Sequence, residues 1–328
     1  MNFKKRIQAL QKLIKQPVLV SDPRDVFYYS GYQVGTDDSP LLLVGKAGKP
    51  TLFLSPLTGA VEAYAGIVFF KRVKELLELL PQTIGIDEYH MPAKLFLEIK
   101  KKGKVVSCSS VIKKPREIKD EGEIERMRKA IRIDKKVLER LDFFNKKEKD
   151  IAQEIERGFY EHGAVPAFET IVASGPNSGN YIHHFPGNRL VRRKEMVIID
   201  FGARFKGYSS DVTRTYFFKN NKRQKEIFET VKNLQEECIE MVKPGIDFKE
   251  INYFYKRSLQ KKGFAVRHGI GHGLGIFVHE PAQKMQKGMV VTIEPGIYLR
   301  NFGGCRIEDV ILVGTKPEVL SRSIPQLR

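Results

Sequence analysis

Apolar residues fall along this chain in two rhythms. In the first third they form short runs bounded by Gly, Pro, Asp or Ser: Pro17 to Val20, Leu41 to Val44, Thr51 to Leu54, Gly85 to Asp87 and Val105-Val106. Such runs predict strands. Gly45 to Pro50 reads as a hairpin connection, and Ser21-Asp22-Pro23 as a turn that ends the first strand. Met91 to Lys102 predicts a helix between two later strands. With the amphipathic N-terminal helix these elements make a small α/β unit over residues 1–115.

The second rhythm is helical. Ile124, Met127, Ile131, Val137 or Leu138, and Leu141 lie close to a 3.6 spacing. Ile227, Val231, Leu234, Cys238 and Val242 repeat it, and so do Phe248, Ile251, Tyr255 and Leu259, with Asp247 as the N-cap. Such stripes are core by default. The charged, Pro-containing stretch Lys113-Lys114-Pro115-Arg116 separates the rhythms, so the expected domains are 1–115 and 116–328.

Composition narrows the class. The 328 residues are 41% hydrophobic and 29% charged, which excludes a wholly disordered chain. No run approaches the roughly 20 apolar residues of a membrane helix, and Met1 to Pro17 lacks the apolar core of a secretory leader. The three cysteines are far apart, with no CxxC pair, so neither a disulfide framework nor a cysteine zinc site is expected, and a reducing cytoplasm fits best. The net charge of +18 invites a nucleic-acid reading. Its distribution argues for a solvated surface: 19 basic against 11 acidic residues up to position 117, and 38 against 28 beyond it.

Candidate chemistry sits in the second part. Five of the seven histidines lie there between positions 183 and 279: His183, His184, His268, His272 and His279. Met196 to Ala203 and Tyr208 to Tyr216 read as two strands. A turn centred on Phe205 and Lys206 would place Asp200 directly opposite Asp211. Opposed carboxylates repel, and such a pair persists when a cation neutralises it or one carboxyl keeps a proton. A second hairpin, Val290 to Tyr298 with Cys305 to Leu312, carries Glu294 and Glu308 inside apolar runs. Burying them there is costly unless they are paired or bind metal. Pro295-Gly296 predicts a bulge in the first of these strands. Between the hairpins, four glycines in seven residues (Gly269 to Gly275) argue against a helix and for an extended segment presenting His272 and His279. Two Asp, two Glu and an imidazole suit a pair of hard or borderline divalent ions, Mn²⁺, Co²⁺ or Fe²⁺ before a structural Zn²⁺. Two such ions can hold a bridging hydroxide and polarise a carbonyl, which is machinery for hydrolysis.

These segments resemble a known family. Ile199-Asp200-Phe201-Gly202, Ser210 to Thr215, Gly271-His272-Gly273-Leu274-Gly275, Thr292 to Tyr298 and Arg306-Ile307-Glu308-Asp309 are similar to the motifs of the pita-bread-fold metallopeptidases. That family includes methionine aminopeptidase, aminopeptidase P, prolidase and creatinase. The resemblance covers about residues 118 to 320. Asp25 to Tyr32 resembles the creatinase-type N-domain, which points to the prolidase and aminopeptidase P branch. The implied architecture is an α/β N-terminal domain followed by an α+β pita-bread catalytic domain.

The resemblance also implies roles. Asp200 binds one metal, Asp211 and Glu308 bridge both, and His272 and Glu294 bind the other. Glu294 handles the proton of the bridging water. His183 contacts substrate, with His184 in its place if the register slips by one. His279 stabilises the tetrahedral intermediate or the leaving nitrogen, and His268 and Arg306 line the substrate pocket. The implied activity is hydrolysis of Xaa-Pro bonds at peptide N-termini, on dipeptides or longer peptides, by attack of a metal-bridging hydroxide. Mn²⁺ or Co²⁺ lead as cofactor, with Fe²⁺ or Zn²⁺ behind. The implied assembly is a cytoplasmic homodimer. The alternatives are a creatinase-like hydrolase of the same fold and a non-enzymatic homologue binding protein or nucleic acid. One departure stands out. Only Pro281 to Lys287 separates His279-Glu280 from Gly288, where prolidase-like relatives carry a longer substrate-covering loop.

Overall fold

The computed structural model describes residues 2–33, 39–59 and 61–327. They form two compact units, residues 1–116 and 117–328.

The first unit is built on a six-stranded mixed sheet. Its strands are β1 (Val18–Val20), β2 (Leu41–Val44), β3 (Thr51–Leu54), β4 (Gly66–Phe69), β5 (Thr83–Ile86) and β6 (Lys104–Ser107), in the order β4-β3-β2-β1-β5-β6. The 45–50 connection makes β2 and β3 antiparallel neighbours, with Leu41 opposite Phe53. Ser21-Asp22-Pro23 does more than end β1. Asp22 accepts the Arg24 N–H as N-cap, and Pro23 opens the helix Pro23–Ser30. Proline at a first helical position loses no hydrogen bond, so the same residues that stop a strand start a helix. The later helix begins at Ala93, after Pro92, and ends at Lys102.

The second unit opens with the helix Glu121–Arg140, whose Asp120 and Glu123 form a reciprocal capping box. The helix Glu148–Glu161 follows, which the sequence pattern did not suggest. Next come β7 (Val165–Pro166), β8 (Ile171–Ser174), β9 (Val197–Phe201), β10 (Ala203–Phe205), β11 (Tyr208–Ser209) and β12 (Val212–Tyr216). The helices Lys222–Glu240 and Phe248–Lys261 lead to β13 (Val290–Ile293), β14 (Gly296–Leu299), β15 (Gly303–Arg306), β16 (Asp309–Leu312) and β17 (Glu318–Val319). Val231, Leu234, Cys238, Ile251, Tyr255 and Leu259 pack from these two helices against Val291, Ile293, Ile297, Ile307 and Ile311. The two apolar stripes thus form the back wall of the second hairpin.

The first hairpin corrects the expected register. Phe205 pairs with Tyr208 and Arg204 with Ser209, so the turn is the two residues Lys206-Gly207. Both have positive φ, 47° and 87°, the mirror-image geometry that matches strand twist. The partner of Asp200 is therefore Thr213, not Asp211. Asp211 lies two positions further along the same face, a diagonal neighbour. The ladder opens at Gly202 and Asp211 and resumes at Ala203 and Ser210, where the Ser210 N–H donates to the Ala203 carbonyl at 2.9 Å.

The second hairpin corrects the expected bulge. Ile293 pairs with Asp309, and beyond the gap Gly296 pairs with Arg306. The gap holds two residues on each side, so the register passes through unchanged and Glu294 faces Glu308. Pro295 has no N–H for the ladder, and the strands part there without an inserted residue.

The tight turn makes a prediction. Gly207→Val places a β-branched residue at φ 87° and is expected to cost about 1–3 kcal/mol. Chemical denaturation would show a lower midpoint with an unchanged slope. An unchanged midpoint would contradict the turn geometry.

Candidate metal centre

The first hairpin opens beside Asp211 while Asp200 stays paired with Thr213, and the second opens at Glu294 and Glu308, whose freed amides bond to a neighbouring segment. The Glu294 N–H donates to the Ile270 carbonyl at 2.8 Å, and the Glu308 N–H to the Thr213 carbonyl at 3.1 Å. The glycine-rich segment is extended, as its composition predicts. It runs along β13, where the Thr292 N–H donates to His272 O and the Leu274 N–H donates to Val290 O, at 2.8 and 2.9 Å. Gly271 explains itself there: a Cβ would meet Thr292 O at 2.2 Å, at a φ of 150°. Gly202 is similar, since its Cβ would meet Ser210 O at 2.2 Å. Hence two hairpins and one glycine-rich segment converge, and each delivers candidate ligands.

Donor atoms of Asp211, His272 and Glu308 all lie within 4.8 Å of one another. His272 Nε2 is 3.5 Å from Glu294 Oε1 and 3.6 Å from Asp211 Oδ2. His272 Nδ1 lies 3.0 Å from Gly273 O, so Nδ1 carries the proton and the bare Nε2 faces the carboxylates. Burial, with His279 beside it, pushes the His272 imidazole down to about 4, which keeps it neutral. This is the tautomer a divalent ion needs. Asp200 Oδ2 accepts from Arg306 at 2.6 Å, while Asp200 Oδ1 is buried with no hydrogen-bond partner.

The carboxylates pay heavily for this arrangement when no cation is counted. Asp211 is held well above the ordinary range by burial and then by Glu308, Asp200 and Glu294. Glu308 is raised likewise by burial, Glu294 and Asp200, against relief from Arg306 and Thr213. Burial lifts Glu294 to about 8, with Arg306 opposing and Asp200 adding. Crowded buried carboxylates, an orphaned Asp200 oxygen and a correctly protonated imidazole together fit divalent cations.

These groups open into a cavity of about 550 Å³, which His183, His184, His268, His279 and Arg306 also line. His279 lies beside His272, ring centroids 4.2 Å apart. It is carried on a loop closed by paired backbone bonds between Gly273 and Glu280. Below that loop the buried Lys119 and Glu280 form an ion pair of 2.9 Å, one that sequence reasoning missed. His268 Nε2 lies 2.8 Å from the Tyr298 hydroxyl, and burial with the Arg306 charge lowers its imidazole to about 4. Arg306 is buried and committed to Asp200, the Tyr298 hydroxyl at 2.8 Å and Thr213 Oγ1 at 3.1 Å. Arg214, also buried, donates to Glu308 O at 2.7 Å and to Asp309 at 2.8 Å, fixing the strand that carries Glu308.

The short 281–287 connection packs elsewhere. Met285 is buried, and backbone bonds tie Gln283 and Met285 to Gly245, Ile246 and Phe248. Neither Lys284 nor Lys287 lines the cavity.

With the geometry in place, comparison gives the class. Residues 125–315 match metallopeptidase family M24, and residues 6–118 match the creatinase/prolidase N-terminal domain. The chain belongs to metallopeptidase family M24, with a creatinase-type N-terminal domain followed in sequence by the pita-bread catalytic fold. It is 35% identical to an Xaa-Pro dipeptidase of Pyrococcus horikoshii, over 94% of this chain and 93% of that protein. It superposes on the crystal structure of the prolidase from Pyrococcus horikoshii OT3 with TM-score 0.89, at 31% identity and 99% coverage of both chains. An X-Pro aminopeptidase from Thermotoga maritima superposes with TM-score 0.85, at 25% identity over 99% of this chain and 98% of that one. Among the described residues no helix is long and apolar enough to cross a membrane.

The electrostatics make a prediction with a definite sign. Glu294 titrates at about 8 in the fold against an ordinary 4.5, so its proton stabilises the metal-free protein at low pH and that stability is lost as pH rises through 8. Asp211 and Glu308 shift in the same direction. His268 and His272, lowered to about 4, act below their ordinary 6.5 and are spent above it. Between pH 6.5 and 8 the chelator-treated protein should therefore lose thermal stability. Added Mn²⁺ should raise Tm more at pH 8 than at pH 6.5 and release protons on binding. A metal effect that shrinks with rising pH would contradict the carboxylate arrangement.

Proposed function

We propose that this chain is an Xaa-Pro dipeptidase that works with two divalent ions, Mn²⁺ or Co²⁺, held by Asp200, Asp211, His272, Glu294 and Glu308. The observation that carries this is the convergence of Asp211, His272 and Glu308 within 4.8 Å at a cavity of about 550 Å³. The activities of the relatives, Xaa-Pro dipeptidase and prolidase, support the substrate class. Metal, when bound, supplies Lewis acidity and a water ionised near neutral pH.

The chain's own side chains do the rest. Glu294 takes the proton of the attacking water and passes it to the leaving nitrogen. That nitrogen belongs to proline, a tertiary amide without N–H, so it must be given a proton to leave. His183 and His279 supply donors to the scissile carbonyl oxygen as negative charge develops on it. Arg306 holds Asp200 Oδ2 and offsets the local acidic excess, while His268 with Tyr298 shapes the pocket for the ring. The three buried free cysteines support a cytoplasmic location. The resemblance to the prolidase branch supports a homodimer.

The test is proline release from Ala-Pro and N-terminal residue release from Ala-Pro-Ala, on chelator-stripped protein with and without Mn²⁺ or Co²⁺. Metal-dependent cleavage of the dipeptide alone is expected. Preferential cleavage of the tripeptide would make the chain an aminopeptidase, and no cleavage of either with metal bound would overturn the Xaa-Pro reading. Glu294→Gln should lower kcat by about 10²–10⁴-fold. His279→Ala should lower kcat by about 10²-fold or more while metal still binds.

A further inference from the structure

The cavity wall contains adjacent histidines, and the mechanism above uses only one. The other leads to a buried acid that the mechanism leaves out. Glu148 is fully buried at the start of the helix Glu148–Glu161. Its Oε1 accepts from Ser174 N and Ser174 Oγ, each at 2.8 Å, and from Asn177 Nδ2 at 3.1 Å. Its Oε2 accepts from His184 Nε2 at 2.8 Å, Asn177 Nδ2 at 3.1 Å and Gly187 N at 3.3 Å. A single carboxylate thus ties together the end of β8, the short helix Pro176–Asn180 and the 184–187 strip of the cavity wall.

The state of that carboxylate decides the state of the histidine. Burial pushes Glu148 up, but the hydrogen bonds from His184, Ser174 and Asn177 win and hold it below the usual carboxylate range. An ionised carboxylate only accepts, so the proton between Glu148 and His184 sits on Nε2. Asn177 Nδ2, 3.2 Å from the same ring nitrogen, spends its hydrogens on the Glu148 oxygens. The His184 ring is also stacked on Tyr181, with centroids 5.7 Å apart. His184 is therefore fixed in orientation and tautomer by groups outside the reaction. His183, the preceding residue in the same cavity wall, has no such carboxylate anchor among the described residues.

We propose that Glu148 is a positioning residue: it claims His184 and Gly187, sets the 183–187 wall of the cavity, and thereby makes His183 the imidazole that meets the substrate. The proposal rests on the Xaa-Pro reading for its kinetic arm and on the ring nitrogens alone for its spectroscopic arm.

The experiment uses the full-length protein. With Mn²⁺ and Ala-Pro, His183→Ala is expected to lower kcat by about 100-fold or more. His184→Ala should lose about ten-fold to a hundred-fold, and His184→Gln, whose amide can still donate to Glu148, should recover most of that loss. Glu148→Gln turns one accepting oxygen into a donor facing donors. It should lower kcat about ten-fold or more with KM for Ala-Pro and Mn²⁺ affinity within about two-fold of wild type. On metal-free protein, histidine ¹⁵N NMR should show His184 as the Nε2–H tautomer in the wild type and a mixture in Glu148→Gln. A His184→Gln enzyme as inactive as His183→Ala would overturn the proposal, and so would a Glu148→Gln enzyme with wild-type kcat or a wild-type His184 in the Nδ1–H form. If the wild type cleaves no Xaa-Pro bond, the functional reading falls, and the tautomer still decides whether Glu148 sets His184.

Discussion

Mutual repulsion among four acidic side chains is the constraint around which this structure is arranged. Asp200, Asp211, Glu294 and Glu308 come from two hairpins into one buried space, and the buried Arg306 is the one Lys or Arg among the described residues lining it. Two like charges about 4 Å apart repel by about 4 kcal/mol at an effective dielectric of about 20. One arginine bound to Asp200 cannot offset several such pairs. Protons or divalent cations must supply the balance. Protons do so in the metal-free protein, which is why Asp211, Glu294 and Glu308 are all raised. The family's metal dependence is the functional form of the same balance.

The backbone is shaped to make that crowding reachable. A continuous antiparallel ladder keeps its amides busy with its own partner strand. Here the first ladder opens beside Asp211 and the second at Glu294 and Glu308, and both close again without losing register. The freed amides of Glu294 and Glu308 reach across to the neighbouring segments, so the gaps knit two hairpins and the glycine-rich segment together. Close approach at Gly202 and Gly271 is the steric condition for this, because any Cβ there would strike a carbonyl oxygen. Buried Arg214 and Arg306 then hold the strands that carry Glu308 and Asp200. Short gaps flanked by paired strands, with Asp200 in β9 itself, thereby aim the candidate ligands.

Much of this was legible in the sequence, for identifiable reasons. The stripes of the helices Lys222–Glu240 and Phe248–Lys261 could be read because one apolar face packs on one wall. The acids stood out because Asp and Glu inside Val-Ile-Ile or Thr-Ile-Pro surroundings are expensive to bury. Four glycines correctly excluded a helix around His272. Other features had no clear signal. Lys206-Gly207 lacks the Asn-Gly or Asp-Gly signature of a two-residue hairpin, so the turn was misplaced and Asp211 put opposite Asp200. Asp22-Pro23 serves equally as strand breaker and helix start, and its second use was missed. The helix Glu148–Glu161 escaped notice because its apolar face is thin between many charges. Glu148 itself gave no local cue: its role lies in contacts 26 to 39 residues away in the chain.

Anomalous diffraction from crystals grown with Mn²⁺ would show whether divalent cations fill the space between these acids. The account predicts two manganese peaks bounded by Asp200, Asp211, His272, Glu294 and Glu308, with Asp200 Oδ1 now coordinated. A single ion elsewhere in the molecule, or none among these side chains at saturating Mn²⁺, would contradict it.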